Sequence, residues 1–443
     1  DSSVHFQTKL WTGDGSDDRN LTNDGNANLQ PDMLWNKRRS TTGNHQLHDA
    51  VRGVTAKISP NTDSGQGTEA NAVQAFQTDG FQVGNDANIN GNGTTYVAWQ
   101  WKAGGPTPNK YRLDNASFST HSLTTYLQEG GTYTFDQSDS SNAGHPLRFS
   151  TTSDGSHGGG SEYTTGVTTN GVPGQAGAYT RITVAASAPT LYYYCTQHSG
   201  MGGSLDTNDN FTTSNYYGSN GSATVRESIN TTAGFSILRY AGTGSNMTIG
   251  HRLGAKPQAV WVKRVDGAAN WRVFHHLAYT GDTGGQYQNA GRLNETTAWE
   301  HTANAFWNNT AFTSTTISLG TNTDLNDSGA HYVAYAFTGV KGFSKFGMYL
   351  GNGDPQGRFC FTGFRPEFVM YRECTAGNTN DWNIVDGSRS GGNLTNLYLR
   401  ANENSGDADG GSNYALNFLS NGFKVVSSNA GVNRSGGEYI YFA

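Results

Sequence analysis

Three side chains that favour soft metals stand within seven positions near the middle of this chain. They are Cys195, His198 and Met201, in Leu191-Tyr-Tyr-Tyr-Cys195-Thr-Gln-His198-Ser-Gly-Met201. A thiolate, an imidazole and a weak thioether, joined by one further imidazole, make up the ligand set of a blue-copper site. A candidate for that imidazole lies well upstream: His145, in Ser141-Asn-Ala-Gly144-His145-Pro146-Leu147-Arg-Phe149. The chemistry on offer is therefore the binding of one copper ion. The plainer alternative is that Cys195 is a small buried hydrophobe, since free cysteine is often buried and inert.

Such a site needs strands to aim it. A β-favouring run leads from Ile182-Thr183-Val184 through Leu191 to Tyr194 and ends at the cysteine, and a tight polar turn follows. A histidine just before a strand, upstream of a Cys-x2-His-x2-Met run, resembles the arrangement of cupredoxins. Over roughly residues 112–203 the chain is similar to the small amicyanin-type members. That resemblance implies copper as cofactor, His145, Cys195 and His198 as equatorial ligands, and Met201 as the axial one. Many such proteins follow the first histidine with an asparagine that holds the ligand loop, and this chain has Pro146. Outer-shell contacts set affinity and potential, so redox tuning is where a departure is expected. His157, in Gly155-Ser-His157-Gly-Gly-Gly, reads as a solvated loop histidine rather than a ligand.

The rest of the chain does not have the composition of a small redox protein. It has 443 residues, enough for about two to four domains. Only 14% are charged and 12% are aromatic, with 59 glycines and 10 prolines. That balance suits short strands joined by Gly/Asn turns, so the fold class is all-β. The net charge of −6, with no basic cluster beyond Lys37-Arg38-Arg39, gives no footprint for nucleic acid. No apolar run is long enough for a membrane-spanning helix. Three cysteines make no disulfide framework. Cys360 and Cys374 are either bridged or, the favoured reading, two separate buried strand residues. The chain starts at Asp1 and stops just after Tyr439-Ile-Tyr-Phe-Ala443, so a processed form or part of a longer polypeptide is expected.

Internal repetition organises the remainder. Phe6-Gln-Thr-Lys-Leu-Trp-Thr-Gly13, Gln30-Pro31-Asp-Met-Leu-Trp-Asn-Lys37 and Tyr96-Val-Ala-Trp99 recur as Phe235-Ser-Ile-Leu-Arg-Tyr-Ala-Gly242, Lys256-Pro257-Gln-Ala-Val-Trp-Val-Lys263 and Tyr332-Val-Ala-Tyr335. They recur again as Phe346-Gly-Met-Tyr-Leu-Gly351, Arg365-Pro366-Glu-Phe-Val-Met-Tyr-Arg372 and Tyr439-Ile-Tyr-Phe442. Each copy has short apolar runs bounded by turn residues, the pattern of an antiparallel β-sandwich. The expected domains are a first sandwich repeat at 1–104, the cupredoxin-like domain at 105–203 (opening on a linker at 104–111), and a linker at 204–233. The second and third repeats follow at 234–341 and 342–443.

Catalytic motifs are missing from this pattern. No Gly-x-Ser-x-Gly, His-Glu-x-x-His or phosphate-cradling loop occurs. A polysaccharide-active enzyme would need two carboxylates flanking a cleft, and the repeats share no aligned acidic pair. Glu295 and Glu300 occur in the second copy alone and are expected on an exposed segment. Trp11, Trp271, Trp299 and Trp307 are expected in the cores rather than as sugar-stacking platforms.

Nearly the whole chain resembles virion structural or tail-fibre proteins of marine bacteriophages, those of cyanobacteria among them. Thr132-Tyr-Thr-Phe-Asp-Gln-Ser-Asp-Ser-Ser-Asn-Ala-Gly-His145-Pro and Ala188-Pro-Thr-Leu-Tyr-Tyr-Tyr-Cys195-Thr-Gln-His-Ser-Gly-Met201-Gly carry that likeness, with Thr232-Ala-Gly-Phe-Ser-Ile237 and Gly342-Phe-Ser-Lys-Phe-Gly347. The resemblance implies three concanavalin-like jelly rolls plus one cupredoxin-like Greek-key domain. It implies a non-enzymatic component of a fibre, tail or surface appendage, at the virion or extracellular surface. The expected partners are further copies, as a trimer or higher assembly, other virion or appendage proteins, and host surface glycans. The alternatives are a copper redox or scavenging protein and a polysaccharide-active enzyme.

Overall fold

A computed structural model describes residues 1–104, 125–127, 131–185, 188–207, 225–278, 285–302 and 304–443. Apart from Gly104, the linker expected at 104–111 lies outside the described residues. The described residues are 38% strand and 7% helix, which makes the fold all-β, with several antiparallel sheets. It divides into two units. The larger comprises Asp1–Asp49, Val54–Gly104 and Tyr217–Ala443, and the smaller comprises Ala50–Gly53 and Gly105–Tyr216.

The three sequence repeats of the larger unit share one strand order. In the first, a sheet runs Phe6–Thr12, Thr95–Trp101, Met33–Arg38, Gln46–Asp49, Gly53–Ile58, Gly67–Thr68, and faces a smaller one of Arg19–Leu21, Phe81–Val83 and Val73–Phe76. The third copies this order with Phe346–Leu350, Glu438–Phe442, Phe368–Glu373, Asn383–Asp386, Leu397–Arg400, Ala408–Asp409, over Phe359–Phe361, Gly422–Val425 and Leu416–Leu419. The second has Phe235–Ala241, His331–Phe337, Ala259–Arg264, Arg272–His275, Asn289–Arg292 and Glu300–His301, over Met247–Gly250 and Thr316–Leu319. One face of each large sheet fills its own sandwich, as Val260, Val262, Ile249 and Ile317 do in the second.

The large sheet of the second repeat carries one strand more. Val225–Asn230 pairs antiparallel along Phe235–Ala241, and Gly203–Asp206 is a strand of the smaller unit. The described residues of the stretch expected as a linker at 204–233 include most of one strand and all of the other. Their polar Gly/Asn/Ser content hid two short strands, one of which supplies partners to edge N–H and C=O groups that would otherwise lie open.

Each repeat closes with the same clasp. Asp86, Asn322 and Asn429 cap a single helical turn, and each turn ends in a fully buried asparagine, Asn90, Asn326 or Asn433. The Asn326 amide donates to Ser245 O at 2.6 Å and Gly320 O at 2.7 Å, and its Oδ1 accepts from Thr243 N at 2.7 Å. Six residues on, Tyr96, Tyr332 and Tyr439 return a hydroxyl to the same turn, to Ala87 O, Thr323 O and Ala430 O. The chain reverses between them at Gly93, Gly329 and Gly436, whose φ values of 73°, 76° and 73° lie where a side chain is strained. Asn326→Ala would remove all three of these bonds and leave the buried Gly320 carbonyl without its amide donor. Each lost bond costs about 1–3 kcal/mol, and a drop in the urea midpoint at unchanged slope would register it.

The outer faces of the three large sheets pack on one another in a cycle. Trp99 of the first repeat donates Nε1–H to Asp386 of the third at 2.9 Å, and Tyr335 of the second donates its hydroxyl to Asp49 of the first at 2.6 Å. At the matching place Phe442 of the third packs on His275 of the second, ring centroids 5.2 Å apart. The cycle repeats at a second level. Trp271 Nε1 bonds Ser59 O at 3.0 Å, Trp382 Nε1 bonds Arg292 O at 2.7 Å, and His45 Nε2 bonds Arg400 O at 2.9 Å. His45 Nδ1 accepts from Trp35 Nε1, which assigns the proton to Nε2. Trp35 in turn packs on Trp99 and Trp261.

Cys360 and Cys374 are free and buried, so they are two separate residues and not a bridge. Burial pushes both thiols up to about 12, which leaves almost no thiolate at neutral pH. Neither should react with iodoacetamide at pH 8 until the larger unit unfolds, and mass spectrometry of alkylated peptides across a urea series checks this.

Candidate metal centre

The smaller unit packs two sheets face to face. One is Thr125–Tyr126, Gly203–Asp206, Leu191–Cys195, Leu147–Ser150, its first pair parallel, and the other is Thr132–Asp136, Tyr179–Thr183, Val167–Asn170. Phe135 and Ile182 from one sheet meet Phe149, Leu191 and Tyr193 from the other in a shared core. Alternation along Leu191–Cys195 sends Tyr193 into this core, so its register is strongly fixed.

That register assembles the site. Leu147 stands opposite Cys195 in the antiparallel pair, so His145, two residues before Leu147, lies at the same end as the loop that leaves Cys195. Cys195 Sγ is 3.8 Å from His145 Nδ1 and 3.6 Å from His198 Nδ1, and the two imidazole centroids are 4.7 Å apart. All three ligand atoms lie within 4.8 Å of one another. Cys195 is buried, His145 half-buried and His198 exposed. Met201 is half-buried at the far end of the same loop, just before Gly203–Asp206.

These separations suit one ion. Metal–nitrogen bonds of about 2.0 Å and a metal–sulfur bond of about 2.3 Å at a trigonal angle put sulfur and nitrogen about 3.7 Å apart. One thiolate and two imidazoles form a soft, singly negative set, which selects copper over hard cations. The chemistry of the donors and their spacing fit the group.

A second layer of contacts holds the ligands. Gln137, buried, donates its amide to His145 O at 2.8 Å, while its Oε1 accepts from Leu147 N and Thr180 Oγ1 at 3.2 Å each. Pro146 offers no side-chain amide, yet its carbonyl accepts from Thr196 N at 3.1 Å and ties the loop to the strand. His157 is exposed and is not a ligand, but its Nε2 lies 3.1 Å from Cys195 O. Asp154 Oδ1 accepts from Gly200 N at 2.9 Å. Gln137 and Asp154 were not singled out in the sequence, and His157, exposed as expected, has a bond to the Cys195 carbonyl that was not foreseen. The Gly155-Ser-His157-Gly-Gly-Gly run was the available signal, because a turn that dense in glycine lets backbone approach a neighbour closely.

Elsewhere the structure assigns other roles to residues weighed for chemistry. Trp11, Trp271, Trp299 and Trp307 are 7%, 0%, 5% and 0% exposed, so they belong to cores and not to sugar platforms. Glu295 and Glu300 are half-buried rather than on an exposed segment, because Arg292 and Arg272 hold them: Glu295–Arg292 is 2.6 Å and Glu300–Arg272 is 2.7 Å. The larger unit has a cavity of about 600 Å³ lined by aromatic rings. Its acidic wall residues are Asp24, ion-paired with Lys9 at 2.7 Å, and Glu367, which accepts from Ser388 Oγ at 2.6 Å and is shifted upward by burial. Among the described residues no helix is long and apolar enough to cross a membrane.

A family model described as a domain of unknown function, DUF7483, matches residues 1–122 and 207–443. The match thus takes in the three sandwich repeats and leaves out the stretch with the ligand cluster. No curated protein and no solved structure matches the chain.

Proposed function

Because the chain belongs to the DUF7483 family, whose description carries no activity, we propose a function from its own chemistry: it is a non-enzymatic structural protein whose smaller unit binds one copper ion. His145, Cys195 and His198 hold the ion, with Met201 as the weak axial ligand. The observation that carries this is the convergence of Sγ and two Nδ1 atoms at 3.6 and 3.8 Å. Copper bound there would supply either a one-electron couple or a staple between the ligand loop and the strand before which His145 stands. The staple is the better fit for a unit carried on a large sandwich scaffold.

The wider setting is a virion fibre, tail or extracellular appendage, a reading supported by the sequence resemblance and by repeated, weakly charged β-domains. Copies associating as trimers or higher assemblies, and adhesion to host surface glycans, belong to the same proposal. Purified protein that stays monomeric, ignores cells and glycans and is missing from virions would end that part. The metal reading is tested separately by titrating the intact protein with Cu(II). One equivalent should bind with an intense visible thiolate-to-copper band, and a protein that takes up no copper, or takes it up without the band, sinks the proposal.

A further inference from the structure

We propose that Asp154 and His157 are positioning residues that hold the Cys195–Gly200 loop in its ligand-bearing shape before any metal arrives. The two side chains grip the loop at opposite ends, His157 at the Cys195 carbonyl and Asp154 at the Gly200 amide. Between those points lies His198, an exposed residue on a turn that includes Gly200 at φ 74°. Such a loop would otherwise sample many shapes, and a metal binding it would have to bear the ordering cost.

The turn that supplies the grip is itself fixed. Residues Gly155–Gly158 form a 3-10 turn with Asp154 at φ 59° and Gly155 at φ 54°. A Cβ on Gly155 would run into the ring of Tyr194, the residue just before Cys195. The turn therefore lies flat on the strand that delivers the cysteine. It is anchored behind by Ser150 Oγ, which accepts from Thr152 N at 3.1 Å and donates to Ser161 O at 2.8 Å. Asp154 spends a left-handed backbone position, which few residues adopt without strain, and from it reaches Gly200. His157 spends a ring nitrogen on a backbone carbonyl. Neither group is needed to close the turn, whose own backbone bonds run from Gly155 N to Thr152 O and from Gly160 N to Gly155 O.

Amide hydrogen exchange on the metal-free protein tests this directly. Thr196–Gly200 amides should exchange at least tenfold faster in Asp154→Gly, which keeps the left-handed backbone free of strain, and in His157→Ala. Asp154→Asn and His157→Gln, which retain an acceptor and a donor, should restore slow exchange. Cu(II) affinity should fall about 10–100-fold in the first pair, the usual range for outer-shell changes, and recover in the second. Unchanged exchange in Asp154→Gly and His157→Ala, or no recovery in the conservative variants, overturns the positioning role. The metal arm rests on the copper reading, but the exchange arm does not. Wild-type protein that binds no Cu(II) yet shows the exchange pattern refutes the metal proposal and keeps the clamp.

Discussion

Cys195→Ser should abolish the visible thiolate-to-copper band and weaken Cu(II) binding by more than about a hundredfold, beyond the range typical of outer-shell losses. The thiolate is the soft member of the cluster and lies within 3.6 and 3.8 Å of both imidazoles. Serine offers a neutral hydroxyl in its place, so the set loses both its negative charge and its preference for copper. The change is nearly isosteric at a site 4% exposed, so packing against the core should survive. A convenient internal control exists: all nine tryptophans fall in the larger unit, so their fluorescence should not change. A band that persists in this variant would contradict the assignment of Cys195.

The second large effect is on stability. Trp35→Ala should cost about 3–5 kcal/mol, the usual range for removing a large aromatic side chain from a core. Trp35 is fully buried, donates to His45 and packs on Trp99 and Trp261. Its loss therefore leaves a cavity where the first repeat meets the second and strips His45 of the bond that sets its tautomer. His45 in turn bonds Arg400 O of the third repeat. Because the contacts run in a cycle through all three repeats, tryptophan fluorescence should report one urea transition, displaced as a whole. Two separated transitions, or a loss below about 1 kcal/mol, would mean that the repeats fold independently.

Much of this architecture is legible in the chain because repetition carries it. The Pro-initiated central strands and the Tyr-Val-Ala runs (Tyr439-Ile-Tyr in the third copy) mark three equivalent sandwiches, and Cys195-x2-His198 with His145 marks the cluster that the strand register assembles. The clasps were legible too and went unread: Asp86-x2-Ile-Asn90-x2-Gly-x2-Tyr96 returns at Asn322 to Tyr332 and at Asn429 to Tyr439. The cyclic packing was not legible. His45, Trp271 and Trp382 occupy one structural position and do one job, donating to a neighbour's carbonyl, but a histidine and two tryptophans do not look alike in a sequence. Asp154 and His157 were hidden for a related reason. Their partners are backbone groups of Gly200 and Cys195, and a backbone partner leaves no trace in residue type.

X-ray absorption at the copper edge reads the ligand set of the smaller unit directly. Protein loaded with one equivalent of copper should show one short sulfur scatterer and two imidazole nitrogens, and the sulfur shell should vanish in Cys195→Ser. A first shell of nitrogen and oxygen alone in the wild-type protein would contradict the site built here.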